Sequence, residues 1–207
     1  MPTTTSYKKE KKKHKTFNNM QKIAVILFVI TAVFQWLVPV DMIKGKEDVL
    51  KNGAAFYFKT QPIDPVDFMR GRYINLYFEN NRFVKDTANN DFEYNEKAYI
   101  TVATAKTGES FAVNVTKEKP TSTSNYFKAK IYAYQNDSII TIYFPFDKFY
   151  MEENKAPVAE TVYNENNRDI LKKCFAKVFI KDGEFVLSDV LIDGKSIVEL
   201  SGQQAME

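Results

Sequence analysis

The sequence predicts a mainly β (α+β) protein: a single N-terminal transmembrane helix, then one β-rich extracytoplasmic domain with a short helical insertion. Three observations carry this reading. An uncharged apolar run, IAVILFVITAVFQWLVPV, fills residues 23–40. Apolar and polar residues alternate through much of the rest, as strands with one buried face require. The chain also has 12 Tyr and 17 Phe but only 7 Gly, a composition suited to pleated, half-buried surfaces.

Residues 1–22 read as a basic cytoplasmic tail. They hold seven of the 29 lysines and arginines against one of the 26 acidic side chains. The net charge of +3 therefore belongs to the tail, and the remainder is slightly acidic. No nucleic-acid partner is expected, because phosphate recognition needs a basic face on the folded part. The run from Ile23 to Val40 nearly spans a hydrocarbon core of ~30 Å. Trp36 lies near one end, where indoles favour the interface. Pro39 suits a helix end better than a helix middle. The lysines should stay in the cytoplasm, which places everything after about residue 42 outside the cytoplasmic (inner) membrane. The lipid bilayer is thus one expected partner. A cleaved signal peptide is the rival reading; the basic start fits, but the apolar run is long and no A-x-A follows it.

Residues 41–52, DMIKGKEDVLKN, read as a short linker or half-helix. The β-rich domain follows at 53–201, with a tail at 202–207. GAAFYFKT (53–60) is a strand. QPIDPVDFMR (61–70) is a turn, since Pro62 and Pro65 restrict φ and Asp64 and Asp67 can accept nearby backbone N–H groups. RYINLYFE (72–79) is a second strand that sends Ile74, Leu76 and Phe78 to the core. KAYITVAT and SFAVNVTK form a hairpin through Gly108, and YFKAKIYAY with SIITIYF forms another. Over 145–170, Phe149, Glu153 and Glu160 recur near helical spacing, which predicts one or two short helices broken at Pro157. Two strands then pivot on Asp182-Gly183, a type I′ signal, and Asp193-Gly194 starts a further turn.

The chemistry-bearing residues are few. Cys174 is the single cysteine, so an intrachain disulfide and a cysteine zinc cluster are excluded. The lone His14 lies in the tail, which leaves no Cys-His or Ser-His-Asp arrangement. No cofactor or metal site is expected, as no EF-hand spacing occurs. Asp64, Asp67, Glu152, Glu153 and Glu160 are candidate carboxylates, but acid–base work needs a mutual geometry that sequence does not supply. Arg70 and Arg72 flank Gly71 and point the same way in a strand, either as an exposed pair or as a clamp for one acidic group.

QPIDPVDFMRGRYINLYFE resembles the GDYXXLXY family of membrane-anchored bacterial proteins. The family pattern runs Pro-x-Asp-Pro-x-Asp, then Gly-Asp-Tyr-x-x-Leu-x-Tyr. Pro62, Asp64, Pro65, Asp67, Gly71, Tyr73 and Leu76 fit it. Phe78 occupies the slot of the last tyrosine, with Tyr77 displaced by one, and Arg72 replaces the aspartate. FPFDKFYMEENKAPVAE (144–160) is similar to the family's aromatic-acidic segment, with Glu153 and Ala156 in place. The resemblance implies an accessory or binding protein working beside a polytopic membrane protein, and carries over no catalytic residue. The alternative is a membrane-tethered hydrolase of the Ser-Lys peptidase kind. It would need one of Ser110, Ser138, Ser188 or Ser196 beside a lysine.

Overall fold

The structure, a computed structural model, describes residues 4–61, 73–79, 81–84, 92–132, 139–152, 155–168 and 172–204. It divides into two compact units, Met1–Gly45 and Lys46–Glu207. Helix α1 (Thr4–Asn52) contains the one stretch, among the described residues, long and apolar enough to cross a membrane, and none of that stretch is buried. Ile23, Trp36 and Val40 all lie exposed along it. Pro39 sits inside α1 rather than at its end. Its fixed φ is already helical, and the cost is one missing N–H donor for the Gln35 carbonyl. Residues 41–52 are the last turns of the same helix, the second of the two alternatives read for them. Lys51 pairs with Glu47 at 2.9 Å and Asn52 donates to Asp48 at 2.7 Å, the i, i+4 contacts that support a helix.

Among the described residues the second unit holds two five-stranded sheets and a two-stranded ribbon, all antiparallel. Its strands are β1 (Ala54–Gln61), β2 (Tyr73–Asn75), β3 (Tyr77–Phe78), β4 (Arg82–Val84), β5 (Glu96–Thr104), β6 (Ser110–Thr116), β7 (Tyr126–Tyr132), β8 (Ile139–Tyr143), β9 (Lys148–Tyr150), β10 (Cys174–Lys181), β11 (Glu184–Ile192) and β12 (Lys195–Ser196). The first sheet runs β12-β11-β10-β1-β3, the second β4-β8-β7-β5-β6, and β2 pairs with β9. One core joins both sheets. Its centre is aromatic: the Phe58 ring lies 6.4 Å from Phe127 of the other sheet, and Phe144 and Phe146 fill the space between them.

The end of α1 is tied to the β10–β11 hairpin. Lys46 pairs with Glu184 at 2.8 Å and Lys181 with Asp48 at 2.7 Å, while Val49 is buried. Gly53 then turns the chain into β1, its N–H donating to the Val49 carbonyl at 2.9 Å.

Turn chemistry read from the sequence holds. Asp182 and Gly183 have φ of 51° and 92°, as a type I′ hairpin requires. Two readings change. Pro157 is the second residue of α2 (Ala156–Arg168) and does not break it, because first-turn N–H groups have no helical acceptor to lose. Phe149 and Glu160 therefore do not share a helix; Phe149 lies in β9. After Asp193-Gly194 the chain makes only the short β12 and enters α3 (Ile197–Gln204), beyond residue 201. The Ser196 hydroxyl caps that helix by accepting the Val198 N–H at 3.2 Å.

Candidate functional site

The stretch read as one strand over 72–79 serves two neighbours. Tyr73–Asn75 pair with Tyr150–Lys148 of β9, whereas Tyr77 and Phe78 pair with Gln61 and Thr60 of β1. Leu76 is the point of exchange, and its N–H goes to the Asp147 carbonyl at 2.7 Å. Alternation survives the switch: Ile74, Leu76 and Phe78 are buried and Tyr77 is exposed. Two side chains of the Gly-Asp-Tyr-x-x-Leu-x-Tyr pattern, Tyr73 and Leu76, thus have structural work. Leu76 is 2% exposed in the core. The Tyr73 ring packs 5.5 Å from Tyr150, with Lys148 Nζ 5.1 Å from its centroid. Phe78, in the slot of the motif tyrosine, lies 4.7 Å from Phe144 and 5.3 Å from Phe146. A phenol there would bury a hydroxyl among rings, so the plain ring fits.

Of the other predicted residues, Pro62, Asp64, Pro65, Asp67, Arg70, Gly71, Arg72 and Glu153 lie outside the described residues, as does Ser138. Glu160 is half-buried on α2, and burial pushes its carboxyl above the usual range. Glu152 pairs with Lys155 at 2.9 Å. The remaining serines spend their hydroxyls on the fold. Ser110 accepts the Tyr57 N–H, Ser188 donates to the Lys177 carbonyl and Ser196 donates to Asp189. Cys174 is buried, and burial together with the Asp193 charge pushes its thiol up to about 11. Among the described residues no group of three His, Cys, Asp or Glu is placed to hold a metal ion.

The switch strand, β8 and the end of β7 line a cleft of about 170 Å³. Asn75, Tyr77, Asn81, Tyr132, Tyr143 and Asp147 are among its lining side chains. The Tyr143 hydroxyl donates to Asp147 Oδ2 at 2.5 Å. That bond, then burial and the charge of Asp147, push the Tyr143 phenol up to about 12. Tyr132 stacks edge-on to Tyr143 at 6.0 Å and Tyr94 lies 5.1 Å from Tyr132, giving the cleft an aromatic rim. Sequence reading missed this site. Tyrosines and amides two apart in strands signal only an exposed face, and their convergence depends on the partner exchange at Leu76.

The raised phenol makes a pH prediction. Tyr143 is neutral when folded and ionises more readily when unfolded, so its contribution is complete below about pH 10 and is lost as pH rises toward about 12. Burial pushes Tyr163 in the same direction. Urea midpoints should hold to about pH 10 and then fall, and Tyr143→Phe should reduce that fall without removing it. An identical alkaline slope in the variant would refute the assignment.

One candidate membrane span and a two-sheet β domain, with a cleft on a partner-switching strand, define a helix-plus-β-domain protein. The sequence profile of the GDYXXLXY protein family matches residues 35–190. The chain belongs to that family. No curated protein and no solved structure matches it.

Proposed function

We propose that this is a single-pass, membrane-anchored accessory or binding protein of the bacterial cytoplasmic membrane. Its N-terminus is cytoplasmic and its β domain stands outside, working beside a polytopic membrane protein. The observation that carries this reading is the wholly unburied apolar stretch of α1, preceded by the lysine cluster Lys8–Lys15, which the positive-inside rule keeps in the cytoplasm. The engagement of Ser110, Ser188 and Ser196 in the fold supports binding over hydrolysis.

Topology is testable with a single probe, because native Cys174 is buried and its thiolate disfavoured. Thr107→Cys, at the exposed tip of the β5–β6 hairpin, should react with a membrane-impermeant maleimide in intact cells. Labelling only after lysis would refute the orientation. Crosslinking in native membranes followed by affinity capture should then recover a polytopic membrane protein; recovery of the protein alone would count against the accessory role.

A further inference from the structure

The cleft continues onto the outer face of the second sheet. Tyr143 of β8 stands opposite Lys130 of β7, and Lys130 opposite Lys97 of β5. Directly paired antiparallel residues share a face, so the three form a row across interior strands, spanning about 10 Å at the usual strand spacing. Lys128, two residues along β7, points the same way and faces Tyr99. All three lysines are exposed, and among the described residues none makes an ion pair. Glu184, whose carboxyl also feels the Lys128 charge, is held by Lys46 at 2.8 Å.

Two features of this track have no purpose within the fold. Like charges directly opposite across a sheet are destabilising, yet Lys97 and Lys130 are so placed. Asn75 and Asn81 are half-buried, and neither amide side chain makes a hydrogen bond among the described residues. Partly buried amides gain from a ligand that completes their bonding, and tyrosines present an apolar face with a polar tip.

We propose that cleft and lysine row form one binding track for an anionic polysaccharide. A sugar ring sits against the tyrosines with its hydroxyls on Asn75 and Asn81, and the carboxylates or phosphates of the same chain meet Lys130, Lys97 and Lys128. Asp147, bonded to the Tyr143 hydroxyl, repels the anions and leaves the cleft to neutral hydroxyls. An acidic peptide fits less well. The row crosses strands already paired on both sides, so a peptide has no free backbone edge to add to. The inference deepens the binding role proposed above. It is tested in vitro, so its failure is read separately from a failure of topology or crosslinking.

The test uses the full chain in nanodiscs of zwitterionic lipid. Fluorescent ten-unit oligomers of galacturonate, phosphodiester-linked glucose, neutral maltose-type glucan and glutamate are titrated at low salt. The expected result is binding of galacturonate or phosphodiester-linked glucose, weakened by salt and at least tenfold tighter than glutamate or the neutral glucan; the tighter of the two anionic oligomers identifies the anion. Lys97→Glu should weaken it at least fivefold while melting no lower than the parent, because it replaces a repulsive cross-strand pair with an attractive one. The double variant Asn75→Ala, Asn81→Ala should weaken binding of galacturonate or phosphodiester-linked glucose but leave any glutamate binding unchanged. Glutamate binding as tight as the best glycan would assign the face to an acidic protein and overturn the proposal. So would no binding by either anionic oligomer, or unchanged affinity in both variants.

Discussion

Phe58→Ala should remove about 3–5 kcal/mol of stability from the β domain, the range for deleting a large ring from a close-packed core. Phe58 is 2% exposed in β1 of the first sheet. Its ring lies 6.5 Å from Phe56, 6.2 Å from Phe78, 6.4 Å from Phe127, 5.5 Å from Phe144 and 5.2 Å from Phe146. Those neighbours come from both sheets and from the segment between β8 and β9. Removing the ring therefore opens a cavity where three parts of the chain meet, and none can close it without losing contacts to the others. Tyr150 is the control: it is also aromatic and in a strand, but 68% exposed, so Tyr150→Ala should cost under about 1 kcal/mol. Urea melts of residues 46–207 measure both. A Phe58→Ala cost no larger than that of the control would mean the aromatic cluster is not the centre of the core.

Gly53→Ala should cost about 2–3 kcal/mol, the upper part of the range for forcing extra atoms into a packed site. A Cβ at Gly53 would stand 2.4 Å from the Val49 carbonyl oxygen and 3.1 Å from that of Ile180. Both are backbone atoms and cannot swing aside as a side-chain tip would. Either the last turn of α1 or the β1–β10 pair must move, and the Lys46–Glu184 and Lys181–Asp48 pairs hold the two together. Valine should be only slightly worse than alanine, because the first carbon carries the clash. At Gly202, in α3, an added Cβ meets nothing within 4 Å, and alanine there should be neutral or stabilising. Equal melting midpoints for the two alanine variants would remove the steric argument.

What could be read from the sequence was what depends on neighbours along the chain. The alternation of Ile74, Leu76 and Phe78 fixed which face is buried, and Asp182-Gly183 announced its turn because its two φ values favour those residues. Pro157 was misread because a proline breaks a helix interior but suits a first turn, and the sequence does not mark which position it holds. The α3 start is legible: Ser196 followed three residues later by Glu199 is a capping-box pattern. The exchange of partners at Leu76 was not legible, since the hydrogen bond from its N–H goes to Asp147, far along the chain. The cleft was lost with it. Asn75 and Tyr143 become neighbours only once β2 has left the sheet line that β3 keeps.

The pairing of β1 with β10, from Ala54 with Ile180 to Lys59 with Phe175, governs the order in which the domain can assemble. β1 is made early, but its main partner and the adjoining β11 are made near the end. The second sheet, with β5, β6, β7 and β8 close in sequence, can form while synthesis continues. The first cannot. Until the C-terminal hairpin emerges, β1 has only the two-residue β3 beside it, and the whole edge that β10 will cover stays open to pairing. A chain stopped after α2 would hold a finished sheet beside an unfinished one, a state prone to aggregate, and completion of the last hairpin is the step that commits the domain to its fold.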